Sequence, residues 1–245
     1  MRKNIMVIMC AYLLCFMCSH LAVAQEIYAP KTKEYLIRLL KDPSIPLSAI
    51  DTSNITDMSR LFENTTRKDF SGIESWNVSN VVDMSYMFSH AKFFNHNIND
   101  WNVSNVVSMS GMFYEASSFN QPLDKWNVSK VRFMFGVFFN AKAFNQPLNS
   151  WNVSNVEGMG SMFAGASSFN QPLDKWDTQK VLTMRDMFHN AKSFNQDISM
   201  WNISKVKNKT KMLYRSGMQQ IPVWYKEEFQ KEQEIDSMKK EEYRQ

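Results

Sequence analysis

Histidines and carboxylates are the side chains of this chain most able to carry out catalysis or to bind a metal ion. His90, His96 and His189 are three of the 4 histidines in the sequence. They stand at different phases of an internal repeat, and His90 and His189 are about four repeats apart, so we do not expect them to meet. No His-Glu-x-x-His motif or metal-spaced pair of cysteines accompanies them. The sequence therefore predicts neither a metal site nor a cofactor.

Two aspartates at the same phase of the repeat offer a pair of carboxyl groups. Asp124 and Asp174 are two repeats apart, or about 10 Å at the spacing of paired strands. Glycosidases use carboxyl pairs about 5–10 Å apart. Nothing in the sequence indicates burial or a raised pKa for either residue, so surface charge is the expected role. Gly111, Gly136 and Gly165 fall in predicted helical stretches and form no phosphate-binding loop, and we predict that the chain is not an enzyme.

Asparagine recurs at two phases of the repeat, and each phase favours a different role. In the first column the side chains are expected to bond the backbone at the turn of the next coil; its members are Asn95, Asn120, Asn145, Asn170 and Asn195. Members of the second column lie between an inward-facing Trp and Val, so they should point outwards. The candidate binding surface combines this column with charged residues from the varied position directly before Trp. Its members are Asn77, Asp100, Asn102, Lys125, Asn127, Asn152, Lys175, Asp177 and Asn202.

This candidate surface has two possible roles that the sequence does not separate. A constant scaffold beside a varied exposed column would allow a repeat protein to encode a partner. The alternative is that the outward Asn and Ser side chains only keep the surface soluble. Lys125 and Lys175 carry the charge at the varied position, and their reversal to Glu should weaken binding if the first role is the correct one.

Tryptophan at intervals of 25 residues marks the repeat that must position all of these side chains: Trp76, Trp101, Trp126, Trp151, Trp176 and Trp201. Columns of Val and Phe follow at fixed distances, and an earlier, degenerate unit begins near Ile50. In a repeat protein each coil stacks on the next, so identical apolar side chains form continuous columns through the core. One coil alone could not offset its ordering entropy, whereas about seven stacked coils could.

Two periodicities inside a unit predict its secondary structure. Apolar and polar residues alternate over residues 101–104, which is typical of a short half-buried strand. Apolar residues at intervals of three or four over residues 106–119 indicate a short helix or a 3-10 segment. Pro122 then favours a turn. We therefore predict an α/β repeat solenoid with a short parallel strand and a short helical or 3-10 return in each 25-residue coil.

The units resemble the BspA-like leucine-rich-repeat family of bacterial surface proteins, which has a DUF285-like repeat of about 25 residues. The family pattern is W-(N/D)-V-S-x-V-x-x-M-x-x-M-F followed by A-x-x-F-N-Q-P-L, and residues 151–173 match it almost throughout. The resemblance covers residues 50 to about 213. It implies a leucine-rich-repeat-like solenoid of parallel strands and a role in surface recognition or adhesion, without specifying a ligand.

Composition divides the chain into four segments. Residues 1–24 have the positive start, apolar run and Ala22-Val23-Ala24 cleavage site of a signal peptide, and contain all 3 cysteines. The apolar run is short for a membrane anchor, which needs about 20 residues. Residues 25–49 are predicted to form a capping segment with a short helix that follows Thr32, and residues 50–217 the repeats. Residues 218–245 should form a helical cap, so that caps cover both ends, or a charged tail.

These features predict an exported bacterial surface-type recognition protein that binds protein or glycan partners, including host or matrix surfaces. The product would be secreted, periplasmic or associated with the cell surface, with no transmembrane span in the mature chain. A net charge of +4 with no basic block argues against nucleic acid as a partner. The alternative function is a self-associating structural or envelope protein, and the sequence leaves the oligomeric state open.

Overall fold

The computed structural model describes residues 27–242, and side chains as far as residue 238. Helix α1 comprises Lys33–Lys41 and helix α2 comprises Lys226–Glu242, with short 3-10 segments at Leu47–Ala49, Ile73–Ser75 and Val223–Tyr225. Between the helices the chain winds through successive coils that are built from turns. Neither helix in the described part of the chain has the length and apolar character needed to span a bilayer. The predicted signal peptide, residues 1–24, lies outside the described residues.

The predicted α/β repeat solenoid is wrong, because the coils contain no strand within residues 27–242. The segment that begins at Trp101 turns almost at once: the Asn102 side chain accepts a hydrogen bond from the Ser104 N–H at 3.2 Å. The β-type pairing between successive coils is limited to single parallel bridges, at Asp57, Asp83, Ser108, Phe133, Gly158, Thr183 and Asn208. These isolated bridges form no sheet, so the leucine-rich-repeat-like description is also wrong.

The predicted helical return is wrong as well, because two residues in each coil adopt left-handed backbone angles. In one coil these are Gly111, with φ of 64°, and Glu115, with φ of 55°. A left-handed residue every few positions is incompatible with a right-handed helix. Each left-handed residue instead lies within a tight turn, such as the one closed by the Met112 N–H and the Met109 carbonyl at 3.0 Å. Consecutive turns of this kind reproduce the three- or four-residue spacing of apolar residues.

Hydrogen bonds between neighbouring coils hold the turns in register. Alternate N–H groups donate to carbonyls of the next coil, for example Met109 to Phe133 at 3.0 Å and Gly111 to Phe135 at 2.7 Å. The same pattern of four bonds recurs at each interface between coils. We call this arrangement the turn ladder; it comprises residues 58–64, 84–90, 109–115, 134–140, 159–165, 184–190 and 209–215.

The core consists of the predicted apolar columns, which the structure confirms. Trp151 is 2% exposed, and its ring lies 6.3 Å from that of Trp126 in a parallel stack. The Phe138 and Phe163 rings stack at 5.6 Å. Each indole N–H of the column also donates to a carbonyl of the preceding coil, as Trp151 does to Leu123 at 2.9 Å. One residue type therefore supplies both apolar burial and a buried hydrogen bond, which explains its regular recurrence.

Helix α2 closes the C-terminal end of the stack by supplying side-chain oxygens in place of carbonyls. The Lys211 N–H, which would donate to a following coil, donates to the carboxylate of Glu232 on α2. The Tyr225 hydroxyl donates to the same carboxylate at 2.9 Å and is itself hydrogen-bonded by the backbone of Leu213. At the other end, α1 begins at the predicted N-cap Thr32 and buries Leu36.

Candidate functional site

The nine residues of the predicted binding surface are all exposed, but they do not lie on a strand face. The Asn and Asp members instead start tight turns, in which their side-chain oxygens accept from the N–H two residues further on. The distances are 3.0–3.2 Å for Asn77, Asn102, Asn127, Asn152, Asp177 and Asn202. This column therefore has a structural role, whether or not it also contacts a partner.

The charged members of the predicted surface are brought together only in part. Lys125 donates to Asp100 of the preceding coil at 2.7 Å, and this hydrogen bond raises the pKa of the lysine. Both side chains are well exposed, at 61% and 77%, so the pair contributes little stability. Lys175 is exposed on the same edge, two coils further on. We call the surface formed by these nine residues the Asn–Lys edge.

The first asparagine column has the structural role that the sequence predicts. Asn120 accepts from the Asn145 N–H of the next coil at 2.9 Å and from the Gln146 side chain at 3.1 Å. The bond to the backbone recurs from Asn95 to Asn195 along the stack. These side chains link the coils at the turn. Because their oxygen atoms already accept hydrogen bonds there, we do not consider them candidates for ligand binding.

The residues considered for catalysis are dispersed. Asp124 and Asp174 are exposed, and each accepts from an asparagine of a neighbouring coil, at 2.9 and 2.8 Å. His90 lies beside Glu115 at 3.2 Å, whereas His189 lies 3.0 Å from Asp186, several coils away. Within the residues that the structure describes, no group of three His, Cys, Asp or Glu side chains is arranged to hold a metal ion.

A second exposed surface, missed by the sequence analysis, is formed by the outward side chains of the turn ladder. We call it the turn face. The core columns largely keep one residue type from coil to coil, but positions on this face differ between most neighbouring coils. One such position is occupied by Ser85, Ser110, Phe135, Gly160 and Arg185, and the next by Tyr86, Gly111, Gly136, Ser161 and Asp186. The variation at these two positions is visible in the sequence. The predicted helical return, however, does not place the two positions together on one exposed surface.

A groove of about 450 Å³ crosses the turn face. Phe135 forms part of one wall, and its side chain is 41% exposed. Its ring lies against the backbone of the next coil at Gly158 and Gly160; a Cβ atom on Gly158 would stand 2.2 Å from the ring. Arg185 and Asp186 line the groove beyond the glycines and are paired with each other at 3.1 Å. The groove therefore brings together an aromatic side chain, an ion pair and two glycines, Gly136 and Gly160, with Ser161 and Thr183 beside them.

Further aromatic rings extend the groove towards the N-terminal coils. Tyr114 stacks on Phe139 with 4.4 Å between the ring centroids and 4° between their planes. Burial raises the pKa of the Tyr114 hydroxyl, with a smaller contribution from neighbouring Glu115. Tyr86 also lines the groove, and the Arg60 guanidinium lies 4.5 Å above its ring. The turn face thus combines aromatic rings with cationic groups, a composition that is enriched at binding hot spots.

The sequence model of a family described as "Mycoplasma protein of unknown function, DUF285" matches residues 38–149 and 121–224. The chain belongs to this family. Comparison with curated proteins and with solved structures gave no match in either case. The two overlapping matches agree with a repeated unit and with the surface-repeat resemblance, but they do not extend to the BspA-like or leucine-rich-repeat names.

The groove of this DUF285 chain lies within the part that the family model matches. Its lining residues run from Tyr86 to Asp186, inside the matched stretches. The coil that supplies Phe135 and Phe139 falls where the two matches overlap, at residues 121–149. The aromatic wall is therefore carried by repeat units of the family and not by an appended segment.

Proposed function

We propose that this DUF285 chain is an exported, non-catalytic recognition module that binds a protein or glycan partner through its turn face. The observation that carries the proposal is the contrast between a core of nearly constant columns and one exposed face that varies between most coils and holds a groove. Constant columns are explained by stacking. The changing residues on the turn face are not required for stacking, and they include the aromatic and arginine side chains that dominate binding energies.

Two observations favour the turn face over the Asn–Lys edge. The asparagines of that edge already use their side-chain oxygens in local turns, as Asn127 does with the Ser129 N–H at 3.1 Å. None of the nine residues of the Asn–Lys edge is a large apolar residue, and the exposed Met200 occupies the equivalent position of a later coil. On the turn face, by contrast, Phe135 is exposed and lines the same groove as Arg185. Burying an aromatic side chain on binding yields more free energy than burying a solvated amide.

The non-catalytic part of the proposal is supported by the surroundings of the carboxylates. Asp124 and Asp174 are exposed and bonded to asparagine amides, an environment that does not produce a general acid. Export is supported by the sequence of residues 1–24, and the product would be secreted, periplasmic or associated with the cell surface. Because export would place the turn face outside the cytoplasm, partners on host or matrix surfaces fit the proposal.

The proposal is tested by measuring saturable capture of a detergent-free extract of extracellular matrix and host-cell surface on immobilised residues 25–245. The double variant Phe135→Ala/Arg185→Ala should lose capture, because it removes both walls of the groove while leaving the core intact. The matched variant Lys125→Glu/Lys175→Glu changes the Asn–Lys edge and should capture normally. Loss with the second variant alone would move the site to that edge, and no saturable capture by the folded wild-type chain would contradict a recognition role.

A further inference from the structure

We infer that the groove on the turn face is a subsite for a neutral, gluco-configured pyranose, so that the partner is a glycan. The inference rests on the proposed function and names the ligand class of the same site. In a gluco-configured ring the hydroxyl groups are equatorial, so each face of the sugar presents C–H groups while the rim presents vicinal hydroxyls. Such a ligand needs a flat aromatic surface beside paired donors and acceptors.

Phe135 supplies the aromatic surface. Its ring is seated on the next coil by Gly158 and Gly160, and a Cβ on the latter would stand 3.3 Å from the ring. Any larger residue at Gly158 would displace the ring, since a Cβ there would come within 2.2 Å of it. The side chain is 41% exposed and lines the groove, so part of the ring is accessible to a ligand.

Arg185 and Asp186 supply the polar wall. Arg185 Nε donates to one Asp186 carboxylate oxygen at 3.1 Å, and His189 Nδ1 lies 3.0 Å from the other. The guanidinium has further N–H donors, and each carboxylate oxygen has further lone pairs, so the pair can bond adjacent hydroxyls. Because the arginine and aspartate charges compensate each other, the wall favours a neutral sugar over a charged one.

The floor of the groove argues against an extended peptide. The Gly136 N–H donates to the Gly160 carbonyl at 2.9 Å, and the Ser161 N–H donates to the Arg185 carbonyl at 2.8 Å. These backbone groups are already paired within the turn ladder. A peptide strand added to the groove could not pair with these groups in the manner of β-augmentation. A sugar requires only the ring face and the side-chain wall.

The aromatic rings nearer the N-terminus make the groove long enough for more than one sugar. Tyr86 lies against Gly111, where a Cβ would stand 2.4 Å from its ring. A ring that lies against a glycine of the next coil thus recurs two coils from Phe135, at the neighbouring position of the turn. Two coils correspond to about 10 Å at the spacing of paired strands. A linear oligosaccharide that contacts both rings is therefore the expected occupant.

The test is isothermal titration of the folded chain with three probes: cellohexaose, chitohexaose and a proline-rich decapeptide. We expect at least one hexasaccharide to bind, and the peptide not to bind. Phe135→Ala should weaken binding by about tenfold, the change in Kd for losing about one aromatic contact. Arg185→Ala should weaken it similarly. Gly158→Ala keeps the phenylalanine but displaces its ring, so it should also weaken binding.

Two matched variants control for exposure and charge. Phe93→Ala removes an aromatic side chain that is 51% exposed but outside the groove, and Arg132→Ala removes an exposed arginine that pairs with Glu157. Both should bind the hexasaccharide with wild-type affinity. Hexasaccharide binding that Phe135→Ala leaves unchanged would overturn the placement of the subsite.

The outcomes separate this inference from the proposed function. Binding of the decapeptide alone, lost in Phe135→Ala, would overturn the glycan assignment while a recognition role on the turn face stands. Suppose that none of the three probes binds, while the wild-type chain captures matrix extract and Phe135→Ala/Arg185→Ala does not. That result would also overturn the glycan assignment. The recognition role fails if the matrix extract shows no saturable capture, and its placement on the turn face fails if only Lys125→Glu/Lys175→Glu loses capture.

Discussion

Asparagine serves three structural purposes in this chain, and its position in the coil decides which. Asn145 accepts the Asn170 N–H of the next coil at 2.9 Å, whereas Asn152 accepts the Ser154 N–H of its own turn at 3.2 Å. Asn155 donates instead to the Ser129 carbonyl of the preceding coil at 2.8 Å. The first purpose was predictable because a stacked turn leaves an N–H that needs an acceptor. The other two depend on turns that the strand prediction had excluded.

Replacing one asparagine of each column should distinguish how much stability comes from hydrogen bonds between coils and how much from hydrogen bonds within a turn. Asn145→Ala leaves the Asn170 N–H and the Gln171 side chain without their acceptor, and should lower the free energy of unfolding by about 1–2 kcal/mol. Asn152→Ala affects a solvated turn and should cost less than about 1 kcal/mol. Urea denaturation followed by tryptophan fluorescence measures both. Equal effects would show that the column does not hold the coils together.

Glu232 makes the attachment of α2 sensitive to pH. Burial raises the pKa of its carboxyl group above the ordinary value of 4.5. The folded state therefore binds this proton more tightly than the unfolded state, so stability from this residue falls as pH rises through the raised pKa. Thermal melting between pH 4.5 and pH 8 should show a decline in the wild type that Glu232→Gln reduces, because the amide does not titrate. An identical pH profile for both proteins would contradict this account of the cap.

At the scale of the element, a periodicity that is typical of a helix here describes a series of turns. Apolar residues at intervals of three or four do face the core, as Met109, Met112 and Phe113 show. The inference from spacing to burial was correct, but the inference to helix was wrong because turns with a left-handed residue give the same spacing. Gly111 at one left-handed position was a sequence signal for this geometry. Its counterpart Asp186 gives a weaker signal in another coil, since aspartate tolerates a left-handed backbone but does not indicate one as strongly as glycine.

Two glycines at the same position of the turn ladder should tolerate alanine differently. Both have left-handed backbone angles, with φ of 64° at Gly111 and 56° at Gly136, so alanine costs about 1–2 kcal/mol of strain at either. At Gly111 the new Cβ would also stand 2.4 Å from the Tyr86 ring, whereas at Gly136 the nearest atom is 3.5 Å away. Gly111→Ala should therefore destabilise the chain more than Gly136→Ala in urea denaturation. A smaller effect at Gly111 would show that Tyr86 is not seated as described.

At the scale of the whole molecule, the repeat length and the constant columns were sufficient to predict a stack of coils with a Trp and Phe core. They were not sufficient to predict the groove on the turn face. The sequence favours the Asn–Lys edge because the alternation over residues 101–104 predicts a strand whose outward side is accessible. The turns bring Phe135 together with Arg185 and Asp186 around one groove, although Phe135 and Arg185 lie 50 positions apart in the sequence.

The central claim, that the turn face is the binding surface, is tested most directly by hydroxyl-radical footprinting of residues 25–245 with and without captured matrix extract. The account predicts protection of Tyr86, Tyr114, Phe135 and Phe139, with the side chains of the Asn–Lys edge and the exposed Phe93 unchanged. Protection confined to the Asn–Lys edge, around Lys125 and Lys175, would contradict it. So would a footprint that is the same on every face of the stack.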